Sequence, residues 1–404
     1  MKTFSVSPAA RKAIAIGCMC SLSYLAVYIA RNILSAVSPQ MIAEGGFTNE
    51  SIGTLSSVYF ITYAVGQLIN GSIGDRIKAK YMISFGLALA GVFSFLFPVL
   101  AEASGFPLAS AAYGITGFFL SMIYGPMTKV VAENTEPIYA TRCSLGYTFA
   151  SFFGTPLAGV LGAFLVWQGV FGFSSFMLIF MGGVCFAVFT LFEKKGIVTY
   201  GQYTKQKGQG SVRVLLQHRI VKFTLISVLT GVVRTTVVFW LPTYLSQYLG
   251  FASDTAALLF TAATFVISST AFVAVFVYER LRRNMDLTIL LAFITASVFF
   301  AAVYLFRTPA VNIVCLILAI LSSNCAASML WSRYCPSLRD TGMVSAATGF
   351  LDFMSYMAAA VSSRLFADAV SDIGWHNLIL VWLGLMLAGV AVAIPWKCRM
   401  KNAE

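Results

Sequence analysis

The sequence predicts an all-α membrane protein: twelve transmembrane helices in two pseudo-symmetric six-helix bundles. Three observations carry that expectation. The composition is too apolar for a soluble fold to bury, twelve apolar runs have bilayer length, and landmarks recur half a chain apart. The 404 residues are 59% apolar and 10% charged, and the mean hydropathy is +0.83. Soluble domains carry about 25% charged and about 45–50% apolar residues, so the excess here needs lipid as solvent.

The apolar runs lie at about 13–41, 49–73, 81–101, 106–131, 141–166, 170–192, 220–249, 254–278, 287–306, 309–332, 341–364 and 374–396. Crossing the hydrocarbon core takes roughly 20 residues in a helix. The first run follows a basic stretch with Lys2, Arg11 and Lys12. It is too long for a cleaved leader and reads as span 1. Connections are short except at 194–219, where a polar stretch rich in Gly, Gln and Lys reads as a solvated linker. The expected organisation is one bundle at 1–193, the linker at 194–219 and a second bundle at 220–404.

The net charge is +12, and its distribution explains it. With both termini on one side, 23 of the 27 Lys and Arg fall on that side. Only Arg307 and Arg364 lie toward the other, and Arg31 and Arg234 lie inside spans. This asymmetry predicts cytoplasmic termini in the cell membrane. The basicity then serves topology and lipid headgroups, and no nucleic-acid partner is expected. The eight cysteines are scattered, and His218 and His376 are far apart. No disulfide framework, metal site or other cofactor follows from such spacing. Nor does a nucleophile–base pair or a phosphate-cradling glycine loop, so an enzyme is not expected.

The recurring landmarks divide the chain. Arg31 precedes Pro39 by eight residues in RNILSAVSP, and Arg234 precedes Pro242 by eight in RTTVVFWLP. Gly46-Phe47 answers to Gly250-Phe251, and Asp75-Arg76 to Glu279-Arg280. Each landmark alone is weak. Together, at an offset of 203 to 204 residues, they indicate a duplicated six-span unit.

Arg31 and Arg234 are the costly residues. Each sits deep in its apolar run, where a charge costs roughly 2.5–3.5 kcal/mol on insertion scales. Structural pairing with carboxylates is one explanation. Asp352, in span 11, is the one acidic residue of comparable depth, and one Asp cannot neutralise two Arg. The remaining charge would then await an anion, which the planar guanidinium fork binds bidentately. Tyr24 and Tyr28 precede Arg31 by seven and three residues and share its helix face. Tyr63 and Gln67 are four apart in span 2. Binding and plain packing both remain open for these tyrosines. Asn324, with Ser322 and Ser323, forms a polar patch in span 10 that suits binding or helix–helix hydrogen bonding equally. Lys129 reads as a snorkelling residue, and Arg364 with Asp368 as a surface pair.

Several segments resemble a known family. GSIGDRIKAK (Gly71 to Lys80) is similar to the loop motif between spans 2 and 3 of major facilitator transporters. YIARN around Arg31, YAVGQLINGSIGDR from Tyr63, VVRTTVVFWLPTYL around Arg234, SAATGFLDF and GWHNL resemble the organophosphate:phosphate antiporters, the group of glycerol-3-phosphate and hexose-phosphate transporters. The resemblance implies the major facilitator fold. It also implies that Arg31 and Arg234 clamp a phosphoryl group and that Tyr24, Tyr28 and Tyr63 line the site. The chain departs from the family where a site lysine is replaced by Gln67 and a span-5 histidine falls on Ala150 or Ser151. Acidic positions in spans 7 and 8 are replaced by Phe239 and Thr264, and Asp352 is foreign to the pattern.

The expectation is thus a monomeric secondary transporter of a small organic anion, a phosphate ester or carboxylate. It would work by exchange, through rocking of the two halves about a central site, with inorganic phosphate or a proton as counter-ion. Asp75, Arg76, Glu279 and Arg280 would form ion pairs that gate the cytoplasmic side. The alternatives are a proton-coupled carboxylate or zwitterion symporter that uses Asp352, or an anion sensor on the same fold. A sensor would be marked by added cytoplasmic domains, which this sequence does not show.

Overall fold

The computed structural model describes residues 7–44, 46–73, 77–103, 105–201, 216, 218–338 and 344–394. Among them every regular element is helical. Spans 1 to 3 are Pro8–Ala43, Asn49–Ile73 and Ala79–Ala103. Span 4 comprises Phe106–Leu120 and Tyr124–Asn134, and spans 5 and 6 are Pro137–Phe164 and Trp167–Lys194. Span 7 runs from Ile220–Gly231 through a π-helical turn, Val232–Val237, into Val238–Gln247. Span 8 joins Ser253–Ser268 to Thr270–Arg280, and span 9 is Met285–Leu305. Span 10 runs from Pro309–Met329 through a second π-helical turn, Leu330–Tyr334, to Cys335–Ser337. Spans 11 and 12 share Val344–Ala393, which is broken at Gly374, where φ is 75° and ψ 166°. A side chain would strain that backbone, which glycine adopts freely. The twelve spans expected from the apolar runs are therefore all present.

Two helices differ from the simple apolar-run picture for local reasons. The run at 106–131 predicts one continuous helix, but the structure interrupts it between Leu120 and Tyr124. Pro126 cannot donate to the carbonyl of residue 122, so the helical ladder has no rung there. Span 1, by contrast, continues through Pro39. The carbonyl of Ser35, deprived of its partner, accepts instead from the hydroxyl of Ser38 at 3.0 Å. In lipid such a carbonyl must find a partner inside the protein.

The chain forms two compact units that do not follow sequence order. The first holds Met1–Lys207, Thr235–Ser268 and Tyr356–Trp375, and the second holds Gly208–Arg234, Ser269–Ser355 and His376–Glu404. In the first unit, spans 1 and 5 approach closely because glycines face them. A Cβ on Gly154 would collide with Tyr28, and one on Gly162 would stand 3.1 Å from the carbonyl of Ala36. The far ends of spans 7 and 11 join this unit through polar contacts. Ser35 donates to the carbonyl of Phe239 at 2.6 Å, and Ser38 and Thr243 share a bond of 2.8 Å. Asn49 and Gln247 exchange two amide bonds of 3.0 Å each, and Ser57 donates to the carbonyl of Ala360 at 2.6 Å. Near the other face, Lys78 and Lys80 both grip Glu193, at 2.8 and 2.5 Å. The carboxylate holds the Lys78 ammonium above its ordinary pKa.

The second unit packs span 7 onto span 11. Ser227 donates to the carbonyl of Leu351 at 2.8 Å, and a Cβ on Gly231 would collide with the Ser355 hydroxyl. That close approach sets Ser355 beside Arg234. Asp286 is shared by Arg219 at 3.2 Å and Lys222 at 3.1 Å.

Candidate functional site

Arg31 stands half-buried in span 1, enclosed by aromatic rings of the first unit. Its guanidinium carbon lies 4.8 Å from the ring centre of Tyr356, 5.4 Å from Tyr63 and 5.8 Å from Tyr28. The negative faces of such rings stabilise a cation without using up its N–H donors. Among the described residues no carboxylate lies within ion-pair distance of Arg31, and none accepts a hydrogen bond from it. Tyr63 and Tyr356 also touch each other, with centroids 4.9 Å apart. Tyr356 was not expected from the sequence. It comes from span 11, four residues after Asp352.

Arg234, in the second unit, is held differently. It lies within the π-helical turn Val232–Val237, an irregularity frequent at functional positions. Its Nη2 donates to Ser355 Oγ at 3.4 Å and lies 3.9 Å from Asp352 Oδ1. The ring of Trp331, itself in a π-helical turn, lies 5.9 Å from the guanidinium carbon. The Arg234 and Asp352 side chains are 32% and 28% exposed. Charged hydrogen bonds are typically about 2.7–2.9 Å long, so Asp352 is a neighbour of Arg234 and leaves most of its five donors open.

The other expected residues fall at varied distances from these centres. Tyr24 belongs to an aromatic cluster with Tyr28, Tyr124 and Tyr147, at centroid distances of 5.0, 5.4 and 6.0 Å. Among these, Tyr28 also faces Arg31, at 5.8 Å. Gln67 is half-buried, one turn beyond Tyr63 in span 2. Asn324 is buried, and its Oδ1 and the neighbouring Ser323 Oγ have no hydrogen-bond partner among the described residues. Asp75 and Arg76 lie outside the described residues. Arg280 rests over the ring of Phe276 at 5.3 Å, and among the described residues it and Glu279 form no ion pair.

The family departures have structural roles. Buried Phe239 packs edge-on to Phe60, with centroids 6.3 Å apart, and Thr264 turns its hydroxyl to the carbonyl of Phe260 at 2.7 Å. Arg364 is more than a surface pair. It meets Asp368 at 3.0 Å and donates to Thr54 Oγ1 and the carbonyl of Glu50, each at 2.8 Å. It thereby ties span 11 to span 2. A groove of about 450 Å³ runs along spans 1 and 5, lined by Gly17, Leu22, Arg142, Phe149 and Phe153, and contains neither membrane arginine. Its apolar lining suits lipid chains better than an anion.

Comparison with known proteins places this architecture. A family model described as Major Facilitator Superfamily matches residues 20–363. The chain belongs to the Major Facilitator Superfamily. As a superfamily member it is a multi-pass membrane protein of a transporter family, not an enzyme. It is similar to the membrane sensor protein UhpC of Salmonella typhimurium, with 25% identity over 269 residues, 61% of this chain and 60% of that relative. It is also similar to the glycerol-3-phosphate transporter of Bacillus subtilis, with 22% identity over 413 residues, 95% of this chain and 92% of that relative. Among solved structures, the superfamily fold is matched by an inward-facing, unoccupied bacterial homologue of the human lysosomal transporter Spinster. The TM-score is 0.75 at 11% identity, covering 96% of this chain and 97% of that one.

Proposed function

We propose that the protein is a secondary transporter of a small organic anion, a phosphate ester or carboxylate, with Arg31 and Arg234 as its cationic contacts. The observation that carries this reading is Arg31, a guanidinium inside a membrane span whose described neighbours are ring faces and no carboxylate. A charge so expensive to insert is retained where it meets a ligand. The relatives support the anion class, since they include a glycerol-3-phosphate transporter and a phosphoglycerate transporter protein.

Exchange is the expected mode. Without cargo, like charges oppose the conversion of the carrier, and a bound anion relieves them. The halves at 1–193 and 220–404 are the moving bodies and 194–219 is the linker, with the termini in the cytoplasm of the cell. Inorganic phosphate or a proton is the counter-ion. Asp75, Arg76, Glu279 and Arg280 act as gating residues, and the carrier works as a monomer. The test is uptake of labelled anions by proteoliposomes loaded with unlabelled competitors. Arg31→Lys and Arg234→Lys should each lose uptake by at least roughly tenfold, because an ammonium cannot form the bidentate fork. Undiminished uptake by both variants overturns the reading.

The similarity to a membrane sensor favours one second reading, an anion receptor that does not transport. In that case anions would raise the thermal stability of the purified protein while counterflow into proteoliposomes stayed at the level of empty vesicles.

A further inference from the structure

We propose that the groove along spans 1 and 5 seats an anionic phospholipid, with an acyl chain along its apolar lining and the lipid phosphate on Arg142. The groove lies within the first unit, apart from both membrane arginines. Its length, the order of its lining and the charge at one end carry the proposal. It extends along span 1 from Ala10 to Leu25 and along span 5 from Tyr139 to Phe153. A helical rise of about 1.5 Å per residue makes each stretch roughly 20 Å long, against roughly 15 Å for the hydrocarbon of one leaflet. The groove is therefore long enough to cover one leaflet and reach its headgroup layer. Its floor is where glycines let the two helices meet. A Cβ on Gly17 would collide with Cys143 Sγ, and one on Gly146 with the Ser21 hydroxyl. Its walls include the exposed side chains of Ile14, Leu22, Phe149 and Phe153.

The two helices start at the same end of the groove, where Ser7 and the Tyr139 hydroxyl share a bond of 3.4 Å. Arg142 stands near that end. It is exposed, and its guanidinium carbon lies 5.6 Å from the ring centre of Tyr139. Among the described residues no carboxylate pairs with it, and the lining contains no Asp or Glu. Exposed Arg11, beside Ala10 in span 1, adds charge of the same sign. A second apolar groove, of about 470 Å³ and lined by Val221 and Leu225, offers a contrast. Its cations, Arg219 and Lys222, already share Asp286 at 3.2 and 3.1 Å. An acyl chain gains little by leaving one apolar surrounding for another, so selection falls to the headgroup. The arginine fork binds a phosphodiester bidentately. A zwitterionic lipid brings its own cation to that contact, and an anionic lipid does not.

Cys18 reports on the site, because it is exposed and lines the groove. The test is maleimide labelling of Cys18, read by peptide mass spectrometry, in purified full-length protein in neutral detergent. Phosphatidylglycerol or phosphatidylcholine with the same acyl chains is titrated into the micelles. Phosphatidylglycerol should protect Cys18 at about fivefold lower lipid fraction, the range of one arginine near a charged headgroup. Arg142→Gln should remove that difference. Inorganic phosphate, which has no chain, should leave labelling unchanged. A Val221→Cys reporter in the second groove should be protected equally by the two lipids. Equal protection of Cys18 by both lipids, or protection by neither, would overturn the proposal. So would protection by inorganic phosphate, a preference that survives in Arg142→Gln, or an equal preference in Val221→Cys. None of these results bears on Arg31, so the carrier reading stands or falls separately.

Discussion

Arg31 and Arg234 occupy matching positions in the repeat, eight residues before a proline, yet their surroundings have little in common. Arg31 is faced by the rings of Tyr28, Tyr63 and Tyr356, which hold the cation and leave its donors free. Arg234 sits in a π-helical turn with a hydroxyl, a carboxylate and an indole for neighbours. At matching positions of the repeat, one arginine is faced by rings and the other has a carboxylate 3.9 Å away. The difference assigns them unequal work. On the proposed reading, Arg31 would supply most of the attraction for an anion.

The largest expected effect breaks that comparison at its stronger end. Arg31→Gln should abolish anion counterflow, whereas Arg234→Gln should leave a small residual rate, because Arg31 and the rings that face it remain. Equal residual rates in the two variants would remove the asymmetry. The double variant Arg234→Gln with Asp352→Asn sharpens the point. It should recover part of the binding lost in Arg234→Gln alone, since it removes a like charge 3.9 Å from where Arg234 stood.

A smaller effect is expected at the ring cage. Tyr356→Phe should bind anions close to wild type, and Tyr356→Leu should bind about threefold to tenfold more weakly, the range of one cation–π contact. Equal losses in Phe and Leu would assign the role to the hydroxyl. At the polar seal linking span 11 to span 2, Arg364→Gln should lower stability by no more than about 1 kcal/mol, seen as a small drop in melting temperature. It should also speed thiol labelling of a Ser57→Cys background.

The smallest effect concerns pH. Lys78 has a raised pKa because of Glu193, so its contribution is complete below the unfolded lysine value of about 10.5. That contribution is lost as pH rises through the higher folded value. Melting temperature should accordingly fall faster above that pH in wild type than in Lys78→Gln.

The fold was largely legible in the sequence because lipid imposes one-dimensional rules. Span length, loop charge and the recurrence of Arg31–Pro39 in Arg234–Pro242 all survive without three-dimensional information. The break in span 4 was also readable in principle from Pro126. The arginines were legible because a charge in an apolar run is conspicuous. Their partners were not, since Tyr356, Ser355 and Trp331 lie more than 90 residues from the arginines they face. Helical spacing held a hint: Ser355 and Tyr356 follow Asp352 by three and four residues, and Trp331 follows Asn324 by seven. The π-helical turns that hold Arg234 and Trp331 left no comparable trace in the apolar pattern.

The most direct test of the central claim is anion-induced thermal stabilisation of purified wild type against Arg31→Lys. Anions that raise the wild-type melting temperature should leave Arg31→Lys unchanged at the same concentration, with both proteins equally folded in their absence. Equal stabilisation of the two proteins would show that the ring-caged guanidinium is not where the anion binds.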